Sequence, residues 1–441
     1  MNINLSRKEL AINGGPPLRT KPWLNNVTTG HEEKSAVMEV LDSGNFSLFE
    51  GSHNPDPPFS FTGGGQVKRL EEEWCAFYGS EYAVSVNSAT SGLYASVGAL
   101  GLGFGDEVIV SPFTMTACAM APMIYGAIPV FADVDSRTGC LDPSSIAACV
   151  TKRTRAILVV HQFGFAADMD SIMSIAAQHG LKVIEDCAQA HGAMYRGRYV
   201  GTIGHIGVFS LNVNKTIQCG EGGICVTNIR DIAYRIQLIR NHGEAVVGPA
   251  SYQNILNIAG FNYRMTEICA AIARIQLRKL PSLNTIRLEL VEQFKQGIAR
   301  YDFIKPLEGL KTCDNCNCSE NARCKPTYYV FPLAFQSSAA PRLTREAFVS
   351  AMNAEGMLYY QGYSKPIYLQ PIYQQRYLFK HGYPFTAIEN EECVQDYSLG
   401  RCPVAERLYF KDIIINEHIR PPHTPKDVND LLLAIEKITT N

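Results

Sequence analysis

The feature that most constrains this chain is a rhythm between residues 82 and 227, where seven short apolar or β-branched runs recur with helix-length segments between several of them. The runs are Tyr82 to Val86, Glu107 to Ser111, Ile128 to Ala132, Ala156 to Val160, Lys182 to Glu185, Ile206 to Leu211 and Gly223 to Thr227. Strands that are apolar throughout, rather than alternating with polar residues, are covered on both faces, and helices between successive strands carry the chain across in parallel. The rhythm therefore predicts an α/β fold whose large domain has three layers around a mostly parallel seven-stranded sheet.

At 441 residues the chain exceeds the size at which a single hydrophobic core stops growing, so two domains are expected. Residues 1–60, punctuated by Gly14, Gly15, Pro16, Pro17, Pro55, Pro57 and Pro58, read as an irregular N-terminal arm. Helical patterning begins near Val67, inside a large domain assigned to residues 61–280. A helix is expected from about Met265 to Ala299, broken at Pro281, with Ile286, Leu290, Phe294 and Ile298 on one face. Residues 281–441 mix a strand-like piece (Tyr328 to Leu333) with helices (Arg345 to Ala354, Pro425 to Lys437), which predicts a smaller C-terminal α/β domain.

Composition narrows the function classes. A formal net charge of −2 with no sustained Lys or Arg run gives no footprint for nucleic acid or an anionic membrane, so the expected partner is a small molecule. The first ten residues lack the apolar stretch of a signal peptide, and no run of about 18 apolar residues occurs, so a cytoplasmic protein is expected. Most of the fourteen cysteines, among them Cys118, Cys187, Cys225 and Cys269, sit singly in apolar runs and read as reduced packing residues. A Cys-rich insertion at 312–325 holds Cys313, Cys316, Cys318 and Cys324, enough to ligate zinc. The Cys316-x-Cys318 spacing is tight for that, so no metal ligand is assigned; a reduced loop is the reading, with zinc and a disulfide left open.

Chemistry in an open α/β sheet is found just beyond the carboxyl ends of its strands. Three such positions converge on one cofactor. Asn87-Ser88-Ala89-Thr90-Ser91-Gly92 places hydroxyls and free N–H groups between a strand and a helix, suited to a phosphate, although the same residues also make a plain helix cap. Asp186 follows an apolar strand and precedes Cys187-Ala188-Gln189; a carboxylate there pairs with a protonated ring nitrogen of the kind pyridoxal phosphate (PLP) carries, or simply caps a helix. Lys215 lies between a strand and the turn Cys219-Gly220-Glu221-Gly222-Gly223, placed for partial desolvation and imine formation, where an isolated lysine is ordinarily a surface residue.

These segments resemble the DegT/DnrJ/EryC1/StrS family, PLP-dependent sugar aminotransferases of fold type I in the aspartate aminotransferase superfamily. The likeness runs from about Gly64 to the C-terminus, through Leu102-Gly103-Phe104-Gly105-Asp106-Glu107, Phe163-Gly164 with Asp168-Met169-Asp170, the Asp186 and Lys215 segments, Arg240-Asn241-His242-Gly243, Asn262-Tyr263-Arg264-Met265-Thr266-Glu267 and Cys402-Pro403-Val404-Ala405-Glu406-Arg407. It implies that Lys215 and Asp186 are catalytic. Lys215 holds PLP as a Schiff base and moves the proton, Asp186 holds the pyridinium, and Gln189 sits near the phenolic oxygen. Thr90, Ser91 and Ser210 match phosphate positions. Asn262 matches a residue that reaches the phosphate from the neighbouring subunit, which implies a homodimer with shared active sites. The implied reaction is ping-pong transfer of an amino group from L-glutamate or L-glutamine to a nucleotide-linked keto sugar or a keto cyclitol.

The chain also departs from the family pattern. Where many members stack an aromatic residue on the ring, this sequence has Met115 in Pro112-Phe113-Thr114-Met115, with Phe113 as an alternative, and Tyr368 stands where His is common near the acceptor pocket. His161, His191 and His242 read as packing or supporting residues rather than a metal set. Two rivals remain: a sugar dehydratase of the same family, which carries histidine in place of the Schiff-base lysine, and a non-catalytic PLP- or amino-sugar-binding regulator.

Overall fold

The computed structural model describes residues 9–54, 56–310, 324–393 and 395–440; Cys313, Cys316 and Cys318 lie outside them. All seven runs become strands of one sheet: β1 (Tyr82–Val86), β2 (Glu107–Val110), β3 (Ile128–Phe131), β4 (Thr154–Val160), β5 (Lys182–Asp186) and, after a small hairpin of β6 (Met194–Tyr195) and β7 (Arg198–Tyr199), β8 (Ile206–Ser210) and β9 (Gly223–Thr227). Their order is β1-β9-β8-β5-β4-β2-β3. From β8 to β3 every pairing is parallel, while β9 runs antiparallel to both β8 and β1.

Helices cover both faces, which is why β4 is buried at every residue except Arg155 and β5 at every residue except Lys182. No helix intervenes between Ser210 and Gly223, so the chain turns straight back and β8 and β9 form a hairpin whose loop carries Lys215.

A second sheet follows. It contains β10 (Ile304–Pro306), β11 (Phe331–Phe335), β12 (Tyr359–Gln361) and β13 (Ile413–Asn416), ordered β10-β11-β13-β12 with every pairing antiparallel. The expected helix Arg345–Ala354 forms within those bounds, and its C-terminal counterpart extends to Pro425–Thr440.

Three sequence expectations are corrected. The arm is not irregular throughout: His31–Ser43 is a helix, opened by a bond of 2.7 Å from the Gly30 N–H to Glu33 Oε2 and packed against the long helix Glu267–Ile298. That long helix is not broken at Pro281 but runs through it. Proline removes one N–H bond from a helix, and packing of the helices His31–Ser43, Gly65–Tyr78 and Pro425–Thr440 along Glu267–Ile298 compensates. Leu290, Phe294 and Ile298 are buried as expected, whereas Ile286 is 42% exposed and Arg287 is buried in its place. The strand expected at Tyr328 begins only at Phe331, because Tyr328 adopts a left-handed φ of 48° that interrupts extended backbone. Among the described residues no helix is long and apolar enough to cross a membrane.

Candidate active site

Because β1, β2, β5 and β8 point the same way, the residues that follow their carboxyl ends meet along one edge of the sheet. There they enclose a cleft of about 410 Å³. Thr90, Met115, Asp186, Gln189, Ser210 and Lys215 all line it.

Asp186 ends β5 and is 6% exposed. Its Oδ2 accepts from the Cys118 thiol at 3.1 Å and its Oδ1 from the Ala188 N–H at 2.9 Å. Burial, reinforced by the Asp186 charge, pushes the Cys118 thiol well above its ordinary pKa, so it stays protonated and donates. Gln189 is fixed at both ends: Oε1 accepts from the Phe163 N–H at 2.8 Å and Nε2 donates to the Tyr363 hydroxyl at 3.1 Å. Burial raises the Tyr363 hydroxyl far above its usual range, which leaves it a proton to donate. The Lys215 Nζ lies 4.4 Å from the centroid of the Tyr329 ring, an aromatic face that accommodates a cation.

On the opposite wall, Ser88 caps the helix Ala89–Ala99 by accepting from the Ser91 N–H at 3.1 Å. Gly223 opens β9 close beneath this helix start: a Cβ there would lie 2.7 Å from the Ala89 nitrogen. Ser91 belongs to the same corner without lining the cleft; it is buried, its Oγ 2.7 Å from Ser88 Oγ and donating to Asn87 Oδ1 at 2.5 Å. Asn262 also stays out of the cleft of its own chain, its Oδ1 accepting from Arg264 Nε at 2.8 Å.

Met115 is 61% exposed at the cleft wall, whereas Phe113 is fully buried, edge-on to Phe163 and Tyr363, so the thioether and not the phenyl ring faces the cavity. Tyr368 lies away from this wall, buried with its hydroxyl donating to Glu406.

The three histidines do not converge. His161 Nδ1 accepts from the Ala167 N–H at 3.1 Å, which makes Nε2 the donor to Glu185 Oε2 at 2.9 Å. Glu185 also accepts from Gly201, Ile203 and Gly204 N–H groups. Glu185, His161 and Cys187 are close enough to be considered as metal ligands, but both imidazole nitrogens are engaged and burial keeps the Cys187 thiol protonated, so the donors suit a structural lock beneath Asp186. Burial, with the Lys215 charge adding to it, lowers His191 to about 3, so it is neutral. His242 is half-buried, with Nδ1 3.8 Å from Glu244.

Tyr329, Tyr363 and Cys118 were not legible as site residues. The tyrosines arrive from segments more than a hundred residues beyond Lys215, without a local motif, and Cys118 reads as core until its thiol is seen against Asp186.

A family model described as the DegT/DnrJ/EryC1/StrS aminotransferase family matches residues 59–395. The chain belongs to this family. It is a PLP-dependent aminotransferase. An L-glutamine:2-deoxy-scyllo-inosose aminotransferase from Streptoalloteichus tenebrarius is 30% identical over 97% of both chains. An L-glutamine:scyllo-inosose aminotransferase from Streptomyces griseus is 37% identical over 66% of this chain and 68% of its own. Among solved structures, an aminotransferase from Psychrobacter cryohalolentis is 28% identical, with a TM-score of 0.78 over 97% of this chain and 99% of that one. The cleft suits the cofactor on its own chemistry: one buried carboxylate, one lysine amine and the start of the helix Ala89–Ala99 all line the same cavity.

Proposed function

We propose that this aminotransferase moves the amino group of L-glutamine onto a keto cyclitol. The observation that carries the choice of acceptor is the charge of the cleft. Its only charged lining residues among those described are Asp186, Lys215 and Glu221. A nucleotide-linked sugar brings a diphosphate that needs cations, whereas a cyclitol ketone is an uncharged polyol suited to Asn212, Asn214, Tyr329 and Tyr363. The full-length likeness to an enzyme named for glutamine and a deoxy-inosose supports the same reading.

Bound PLP supplies an electron sink for the carbon that exchanges its proton. Lys215 Nζ would hold the cofactor and, when not holding it, would carry the proton to and from the substrate carbon. Asp186 holds the ring nitrogen protonated, with Cys118 and Ala188 keeping the carboxylate aimed into the cleft. Gln189 orients the ring from its phenolic side. Ser88, Thr90, Ser91 and Ser210 make the phosphate corner. The second-sheet portion, residues 281–441, is read as a small domain that brings Tyr329 and Tyr363 to the cavity. Asn262 lies outside its own cleft, so it serves a cofactor only across a homodimer, which we propose as the working unit.

The test uses purified, PLP-loaded enzyme. L-glutamine is expected to convert the lysine-bound cofactor absorbance to that of pyridoxamine phosphate, and a panel of inososes and nucleotide-linked keto sugars is expected to restore it only with the cyclitols. Lys215→Ala is expected to abolish both steps. No conversion by any amino donor would remove the transaminase assignment of these residues and favour a dehydratase or a regulator.

A further inference from the structure

The loop carrying Lys215 is tied into its hairpin through its N–H groups: Val213 donates to the Gly220 carbonyl and Lys215 to the Asn212 carbonyl, both at 2.9 Å. Two of its carbonyls turn instead to the N-terminal arm. Those of Val213 and Lys215 accept from one side chain, Asn26 of the N-terminal arm, whose Nδ2 donates to them at 3.1 and 2.7 Å. Asn26 is 8% exposed. Its orientation is settled by these partners, because a flipped amide would set Oδ1 against two carbonyl oxygens.

The arm holds Asn26 from both sides. Thr28 Oγ1 donates to Gln276 Oε1 at 2.9 Å, and Gln276 in turn donates to Glu33 at 2.8 Å and accepts from the Gln218 N–H of the lysine loop at 3.4 Å. Before Asn26, Trp23 Nε1 donates to the Gly356 carbonyl at 2.7 Å, and Arg19 pairs with Asp427 and Asp430 while lying 3.9 Å over the Trp23 ring. Glu355, buried against Lys437, accepts from the Ala11 and Leu18 N–H groups. An amide so fixed is a rigid reference point, and it grips the loop on both sides of Asn214, which lines the cleft beside Lys215.

We propose that Asn26 is a positioning residue for Lys215: by holding the carbonyls of Val213 and Lys215 it sets where the lysine amine points in the cofactor cleft. The inference rests on Lys215 as the PLP-binding lysine. On that reading the one side chain would both hold the cofactor and carry the proton, and an amine with two tasks needs a backbone that does not drift.

The test compares the wild-type holoenzyme with Asn26→Ala and Asn26→Asp. Asn26→Ala is expected to lower kcat about tenfold, the size of a lost hydrogen-bonded constraint, with the donor KM little changed. It is also expected to shift the pH midpoint of the lysine-bound cofactor absorbance while the urea midpoint of the protein stays near wild type. Asn26→Asp places an acceptor against two acceptors, so it is expected to be worse than Asn26→Ala at neutral pH and to recover as the pH falls and the new carboxyl becomes a donor. A wild-type absorbance titration and kcat in Asn26→Ala would overturn the proposal. So would one pH profile shared by both variants, or a kcat loss that merely tracks a falling urea midpoint. Borohydride reduction and peptide mapping of the wild type separate the two levels. A label on another lysine sinks the Lys215 reading itself, and a label on Lys215 with an indifferent Asn26→Ala sinks only the role of Asn26.

Discussion

Replacing Asp186 by asparagine isolates charge from shape. The amide keeps the size of the carboxylate, its oxygen still accepts from the Ala188 N–H, and its NH₂ meets the Cys118 sulfur, itself a weak acceptor. The fold is therefore expected to survive, with a urea midpoint close to wild type. What is lost is the negative charge of a side chain 6% exposed, which under the proposed function would face the protonated cofactor ring. A hydrogen bond to a charged partner contributes about 1.5–3 kcal/mol, so the PLP dissociation constant is expected to rise by roughly 10- to 100-fold at about 1.4 kcal/mol per decade. The rate should fall further, by roughly 100- to 1,000-fold, the usual cost of losing one preorganised electrostatic partner. Equilibrium PLP titration by absorbance measures the first quantity, and a single-turnover reaction of saturated holoenzyme with L-glutamine measures the second. Wild-type PLP affinity together with a wild-type single-turnover rate in Asp186→Asn would refute the assignment of this carboxylate to the ring nitrogen.

Other perturbations test separate parts of the structure. Burial lowers both His191 and His418 to about 3 in the folded chain, whereas an unfolded histidine titrates near ~6.5. The unfolded state thus binds more protons across that window, and stability present above pH ~6.5 is lost as pH falls toward ~3, by about 1.4 kcal/mol per pH unit for each histidine. Urea unfolding of His191→Asn is expected to show a pH slope shallower by about one proton than wild type; identical slopes would contradict the buried neutral imidazole. Gly223→Ala sets a Cβ 2.7 Å from the Ala89 nitrogen and is expected to cost about 1–3 kcal/mol of stability and to weaken PLP binding, with unchanged values on both counts telling against the close approach at the phosphate corner. Asn262→Ala should weaken PLP retention on dialysis without unfolding the subunit, and unaltered retention would discard the cross-subunit contact.

The strands, and the three segments after them that meet at one cleft, were legible because each is encoded locally. An apolar run in a doubly covered sheet announces itself through burial on both faces, and Asp186 and Lys215 sit in short segments whose strand-to-turn context is visible in a dozen residues. The failures share another cause. A proline in a regular pattern reads as a break until the packing of three helices on Glu267–Ile298 is known, and residues around 31–43 read as an arm because the surface they cover lies more than two hundred positions away.

Sequence alone determined that an aspartate and a lysine would each follow an apolar strand of an α/β sheet, since strand runs and the turns after them are encoded by short-range patterning; that their two strands, β5 and β8, lie side by side was decided by the tertiary structure. Only the tertiary structure decided what surrounds them: Cys118 on the carboxylate, Tyr329 beneath the amine, Tyr363 on Gln189, and Asn26 on the lysine loop. These contacts join segments that share no periodicity and no motif, so nothing in the local order of residues encodes them until the chain has closed on itself.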